Sequence, residues 1–280
     1  MRIRFVDVDG VRTRVLFAGQ GPAVFLLHGV GVSGDTFIRN LDALGEKFTA
    51  YAPDMLGHGF TDAVDFKGEP PQHRIARHVG RMADALGVEH YSVGGSSFGA
   101  LIAALMYFER PKRVDSLILI GSGSVFHPAD EQEKTLRAAF ANGSQAMGDP
   151  TLDSCRKRMA TICHDPASVA EEILPVQLTS YALPDRIAAY KATIDGVIAS
   201  LGAPENRVLS RLEQIGVRTL ILTGREDIRA QWALHVEGRK RIPKARLVIV
   251  EKCGHLPYME HPAAFNETVG AFLAGAEVGV

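Results

Sequence analysis

The sequence predicts an α/β fold: a mostly parallel sheet with helices on both faces, and a helical segment inserted between two of its strands. Three observations predict it. Short apolar runs closed by turn residues alternate with stretches of helical character, the pattern of a sheet covered on both sides. The pattern resumes late in the chain with RTLILTG and ARLVIVEKCG. Between the two blocks, residues from about 125 to 206 carry helical stretches broken by prolines and glycines, and no apolar run resembling a buried strand.

The elements follow in order. RIRFVDV and VRTRVLFAG flank Asp9-Gly10, a dipeptide suited to the type I′ turn of a two-stranded hairpin. After Gly21-Pro22 the runs AVFLLHG, FTAYAPD, HYSVGGS and VDSLILIGSG predict strands, with helices over 72–86 and in SFGALIAALMYFER among them. EQEKTLRAAFA and PDRIAAYKATIDGVIAS predict amphipathic helices in the insertion, which is too short for a free-standing domain and is expected to lie over the sheet as a cap. The expected division is a core of 1–124 and 207–280 and a cap of 125–206. A helix near 230–241 and a final helix from about 261 to 275 complete the chain. No internal repeat or low-complexity segment interrupts it.

Composition narrows the class. Of 280 residues, 46% are apolar and 22% charged, which permits a full core. A net charge of −1 with both signs scattered supplies no footprint for nucleic acid and no basic patch for a membrane surface, so a small neutral or weakly charged substrate is expected. MRIRFVDVDG lacks the apolar stretch of a secretory signal, and no run approaches the roughly 18 apolar residues of a membrane span, so a soluble cytoplasmic protein is expected. Cys155, Cys163 and Cys253 cannot all pair and lack metal-ligand spacing, which reads as reduced thiols and no metal. The oligomeric state stays open, a homodimer being one option.

Gly95-Ser96-Ser97-Phe98-Gly99 matches GxSxG directly after one apolar strand and directly before a helix-forming run, the context that motif requires. A nucleophile on so sharp a turn is lifted clear of the sheet, and small residues two before and two after it let the backbone pass closely. Serine needs a base within hydrogen-bond reach, and the base needs an orienting acid. Chain order in this architecture is serine, acid, histidine. Asp227 follows RTLILTG and His255 follows ARLVIVEKCG, each at the carboxyl end of a strand, where parallel sheets gather functional groups. Glu226, beside Asp227, competes for the acid position. His28-Gly29-Val30-Gly31 ends the strand AVFLLHG, making the N–H groups of Val30 and Phe98 the candidates for an oxyanion hole. His28 itself reads as structural.

HGVG, PDMLGHGFTD, GSSFG, GRED and CGHLPYMEHP, taken together and in order, resemble the α/β-hydrolase superfamily over nearly the whole chain. The set looks most like the small microbial hydrolases that include carboxylesterases, lactonases and hydrolases cleaving carbon-carbon bonds in the ring-fission products of aromatic degradation. The resemblance implies the α/β-hydrolase fold, an oxyanion hole from the residue after His28-Gly29 and the residue after the nucleophile, and a lid over 125–206. Serine as nucleophile sets the chain apart from the dehalogenase and epoxide hydrolase branches. Carbon-carbon hydrolases typically carry asparagine before the nucleophile, tryptophan after the histidine and a lid arginine ahead of a tyrosine. Here those positions read Ser96, Leu256 and Ala189 before Tyr190, with Arg186 nearby as a replacement.

The leading functional reading is therefore a cofactor-free serine hydrolase that cleaves a small carboxylic ester or lactone through an acyl-enzyme on Ser97. The first alternative is carbon-carbon hydrolysis of a vinylogous diketone. A ligand receptor with slow turnover, separated by turnover on a simple ester, and cofactor-free oxygen chemistry, separated by oxygen consumption, rank behind. Phe126, His127, Phe140, Met147, Met159 and Tyr181 are the candidate pocket residues of the cap, each equally readable as core. The basic runs at 156–158 and 238–241 read as solvated faces.

Overall fold

A computed structural model describes residues 1–280. The chain opens on the hairpin β1 (Arg2–Val8) and β2 (Val11–Ala18), in which Val8 pairs with Val11. Asp9 and Gly10 both take positive φ, 54° and 82°, as the type I′ turn demands. Then come β3 (Ala23–Leu27), α1 (Ile38–Gly45), β4 (Thr49–Pro53), α2 (Pro71–Ala85), β5 (Tyr91–Ser96), α3 (Phe98–Glu109) and β6 (Val114–Ile120). After the insertion the chain continues as β7 (Arg218–Gly224), with β8 (Ala245–Val250) after a further helix.

The eight strands form one sheet in the order β1-β2-β4-β3-β5-β6-β7-β8. Only β2 runs against the rest, pairing antiparallel with both β1 and β4. The other pairings are parallel. Val24–Leu27 and Leu117–Ile120 are fully buried, the near-continuous apolar runs of strands covered on both faces. Helix α3 is buried from Phe98 to Tyr107, which explains why its sequence is apolar all round rather than striped.

The insertion holds α4 (Gly123–Phe126), α5 (Ala129–Gly148), α6 (Leu152–Ala160), α7 (Leu174–Tyr181) and α8 (Arg186–Ser200). Helix α4 packs on α3, while α5 contacts α8 and α6, and α7 contacts α6 and α8. Helix α6 starts on a reciprocal cap in which Thr151 Oγ accepts from the Ser154 N–H and Ser154 Oγ accepts from the Thr151 N–H. Polar contacts tie these helices to the loops at the carboxyl end of the sheet. Arg186 donates to the carbonyls of Gly59 and Thr61, and Tyr181 donates to the Gly31 carbonyl at 2.7 Å. The chain ends in α9 (Trp232–Arg241), placed between β7 and β8, then α10 (Pro257–Glu260) and α11 (Pro262–Leu273).

The loop PDMLGHGFTD is held by a buried charge network. Asp54 accepts from Arg14 Nε at 2.6 Å and from the N–H groups of Gly34 and Phe60 at 2.8 Å, and Arg14 also pairs with Asp35. Burial alone disfavours the guanidinium charge, but the two carboxylates hold Arg14 above its ordinary range. All three cysteines are unpaired, and burial pushes the Cys163 thiol up to about 12. No helix is long and apolar enough to cross a membrane.

Candidate active site

Ser97 stands alone between the end of β5 and the start of α3, with φ 55° and ψ −114°. A positive φ is uncommon outside glycine and marks a forced turn. Three bonds hold it: the Ser97 N–H donates to the Ile120 carbonyl at 2.8 Å, and the Ser97 carbonyl accepts from Ser122 Oγ at 2.8 Å and the Ala100 N–H at 3.1 Å. The flanking glycines are required by space. A Cβ on Gly95 would lie 2.2 Å from the Gly99 backbone, and one on Gly99 would lie 2.2 Å from the Leu27 carbonyl oxygen. The turn after β3 comes against the serine, since a Cβ on Gly29 would sit 3.6 Å from Ser97 Cβ. Phe98 is the first residue of α3, so its N–H has no partner within the helix.

Asp227 and His255 meet across the loops that follow β7 and β8. His255 Nδ1 lies 2.9 Å from Asp227 Oδ2, and both residues are buried. Asp227 Oδ1 accepts from the N–H groups of Arg229 at 2.7 Å and Ala230 at 3.0 Å. Burial would raise this carboxyl, yet the His255 contact and the two N–H bonds hold it below the ordinary carboxylate range. The arrangement fixes an ionised acceptor on Nδ1 and leaves Nε2 as the ring's basic nitrogen. Glu226 turns the other way: its carboxylate accepts from the Cys253 N–H at 2.9 Å and braces the neighbouring loop.

Glu260 is a residue that sequence reasoning passed over. Its carboxylate accepts from the N–H groups of Gly254 at 3.0 Å and Leu256 at 3.1 Å, on either side of His255, and of His164 at 2.7 Å in the insertion. The His255 N–H itself donates to the Ile162 carbonyl at 2.9 Å. His28 is structural, as expected: Nε2 accepts from the Met55 N–H at 3.0 Å and Nδ1 donates to the Gly29 carbonyl at 2.7 Å.

Ser97, His255, Gly29 and Val30 line one cavity with free space of about 60 Å³, and the insertion forms its opposite wall through Thr135, Ala139, Asn142, Arg158, Met159 and Ile162. Of the six cap positions expected there, Met159 lines the cavity and the others lie elsewhere. Phe126 packs on His235, with ring centroids 4.7 Å apart, and Phe140 packs on Tyr190 at 5.5 Å. His127 and Met147 are buried outside the cavity, and Tyr181 spends its hydroxyl on the Gly31 carbonyl.

Arg186 does not fill the place of a lid arginine either, being bound to Asp185 and to the loop carbonyls. The basic run at 156–158 is corrected at one residue. Arg156 pairs with Glu171 and Lys157 is exposed, but Arg158 is buried and lines the cavity together with Arg229. The missed signal was helical spacing, because Cys155, Arg158 and Met159 share one face and both neighbours are apolar. Leu256, Ser96 and Tyr258 also line it, the hydroxyls of the last two being buried without a hydrogen-bond partner. No group of three or more His, Cys, Asp or Glu side chains is placed to hold a metal ion.

Comparison with known proteins places this geometry. The pattern described as the alpha/beta hydrolase family matches residues 24–268. The 2-hydroxymuconate semialdehyde hydrolase of Pseudomonas putida is 27% identical over 281 residues, covering 98% of this chain and 95% of that protein. A solved 2-hydroxy-6-oxo-6-phenylhexa-2,4-dienoate hydrolase from Rhodococcus sp. strain RHA1 superposes with a TM-score of 0.79 at 21% identity, over 98% of this chain and 99% of that one. A solved membrane phospholipase A, a bacterial virulence factor, reaches 0.76 at 25% identity over 98% and 86%. With the family pattern matched from β3 into the last helix, the chain belongs to the alpha/beta hydrolase family.

Proposed function

We propose that the protein is a serine hydrolase that cleaves a small carboxylic ester or lactone through an acyl-enzyme on Ser97. The observation that carries this reading is the forced turn at Ser97 opening on the same cavity as His255, which Asp227 holds by Nδ1. Ser97 Oγ attacks the carbonyl carbon as His255 Nε2 takes its proton, and Asp227 stabilises the imidazolium. The N–H groups of Val30 and Phe98 receive the developing oxyanion. The histidine then protonates the leaving alkoxide, and water, activated by the same base, releases the acid. Residues 125–206 act as the cap that walls the cavity and selects the small-molecule substrate.

Carbon-carbon hydrolysis is the second reading, favoured by the similarity to the Pseudomonas putida semialdehyde hydrolase. It ranks second because a carbon leaving group must first be protonated, and Ser96 and Leu256 stand beside the nucleophile and the histidine where carbon-carbon hydrolases typically carry asparagine and tryptophan. The experiment is a side-by-side comparison on purified enzyme of a short aryl ester or lactone with a 2-hydroxy-6-oxo-dienoate. The ester is expected to show kcat/KM at least about tenfold higher, a difference of about 1.4 kcal/mol in transition-state binding. Preference for the dienoate overturns the ranking. In either case Ser97→Ala is expected to abolish turnover and organophosphonate labelling, and labelling lost in Ser96→Ala instead would move the nucleophile by one residue.

A further inference from the structure

The turn after β3 carries the Val30 N–H proposed for the oxyanion, and local sequence does not fix that group's direction. Val30 stands between Gly29 and Gly31, the latter at φ 74°, and its N–H donates to no acceptor within the protein. Glycine on both sides leaves the peptide planes free to rotate unless something outside the turn holds them. Each plane is held by its carbonyl. The Gly29 carbonyl, which shares a rigid trans plane with the Val30 N–H, accepts from His28 Nδ1 at 2.7 Å. The next two carbonyls are held from the insertion. Arg158 Nη2 donates to the Val30 carbonyl at 3.3 Å and Nη1 to the Gly31 carbonyl, which also accepts from the Tyr181 hydroxyl at 2.7 Å.

Both partners on the insertion are themselves fixed. Arg158 is buried, with its guanidinium 5.2 Å from the Tyr181 ring centroid and 5.8 Å from that of Tyr190. Gln177 donates to the Tyr181 hydroxyl, which leaves that hydroxyl's proton to the Gly31 carbonyl. The fit is closed, since a Cβ on Gly31 would lie 2.6 Å from Arg158 Nη2 and 2.7 Å from Tyr190 Cε2. A carbonyl released from this clamp is free to turn into the place of the oxyanion, where it would repel the charge that a donor stabilises. We propose that Arg158 and Tyr181 are positioning residues of the oxyanion hole: seated on the turn after β3, they hold the Val30 N–H available to the oxyanion and keep the neighbouring carbonyls out of its place. This rests on the hydrolase reading given above for Ser97 and Val30. The hole is then built jointly, by the core that supplies the N–H groups of Val30 and Phe98 and by the insertion that fixes Val30. Its demand falls on the tetrahedral intermediate, in which the carbonyl oxygen becomes an anion, rather than on the bound ester.

The test separates the two states with a pair of ketones of similar shape, each titrated calorimetrically. Phenethyl trifluoromethyl ketone accepts Ser97 Oγ at its carbonyl carbon, the π pair passing to oxygen and the serine proton to His255, and so presents an oxyanion. Phenethyl methyl ketone stays unreacted and reports ground-state binding. The wild-type enzyme is expected to bind the fluorinated ketone at least about a hundredfold more tightly. Tyr181→Phe keeps the ring beside Arg158 and removes the bond to Gly31. It is expected to weaken the fluorinated ketone about tenfold and the methyl ketone less than about twofold, and to lower kcat on p-nitrophenyl butyrate about tenfold with KM little changed. Arg158→Lys keeps the charge but loses the fork that spans two carbonyls, and is expected to act in the same direction. Circular dichroism confirms that the variants are folded. An insertion merely loosened by substitution would weaken both ketones alike and raise KM. Selective loss of the fluorinated ketone in either variant sustains the inference, and equal loss, or none, in both overturns it. If the wild-type enzyme does not favour the fluorinated ketone, and Ser97→Ala binds the two ketones as wild type does, the hydrolase reading has failed and the positioning role falls with it.

Discussion

Asp227 accepts one hydrogen bond from His255 and two from backbone N–H groups, while its neighbour Glu226 accepts from the Cys253 N–H. An amide at 227 can still accept from one side, but it permits the wrong tautomer of the histidine and carries no charge to set against the imidazolium. Asp227→Asn is therefore expected to lower kcat by roughly 10³ to 10⁴, and Glu226→Gln by far less. Steady-state kinetics with the preferred ester decide between them, and the reverse ranking would give the role to Glu226. The sequence favoured Asp227 but left Glu226 as a competitor, because which of two adjacent loop residues faces the histidine depends on the strand beyond. Ser97 and His255 were legible for the opposite reason: each follows an apolar run that ends sharply, and the end of a strand is a fixed place in this architecture. Arg158 and Arg229 were not, since a charged residue in a polar stretch reads as solvated until the opposing wall is known.

At the scale of elements, the turn between β5 and α3 depends on two contacts that a single methyl group would break. A Cβ on Gly99 would meet the Leu27 and His28 carbonyl oxygens at 2.2 and 2.6 Å, both backbone atoms of a fully buried strand and its turn. Neither can retreat without moving β3. Gly99→Ala is expected to cost about 1–3 kcal/mol or more of stability, read as a lower denaturation midpoint, or to prevent folding. A wild-type midpoint would show that the strand and helix can separate freely. The strands were legible because burial on both faces leaves runs such as LILI and FLL with no alternation to mistake for a helix. The helices α6 and α7 were not named in advance: nine- and eight-residue helices with weak striping resemble the polar loops between them.

The molecule as a whole stores several neutral histidines. Burial pushes His28, His78 and His235 down to about 4 and His58 down to about 3. Two of them use Nε2 as an acceptor, His28 from the Met55 N–H and His235 from the Ser122 N–H, so a proton there would set donor against donor. In the unfolded chain each returns to an ordinary value of about 6.5 and takes up a proton at higher pH than in the fold. The stability these groups contribute is therefore full above about pH 6.5 and lost as pH falls through the folded values near 4. Thermal unfolding between pH 7 and pH 4.5 is expected to show a falling midpoint and proton uptake on unfolding. A midpoint constant over that range would mean these histidines are charged in the native state.

The insertion also reaches the loop that carries the proposed base. The His255 N–H is bonded to the Ile162 carbonyl, and Glu260 spans from that loop to the His164 N–H. The insertion that walls the cavity is thus bonded to the loop that carries His255. A movement of the insertion large enough to break those bonds would release the loop that holds His255 against Asp227.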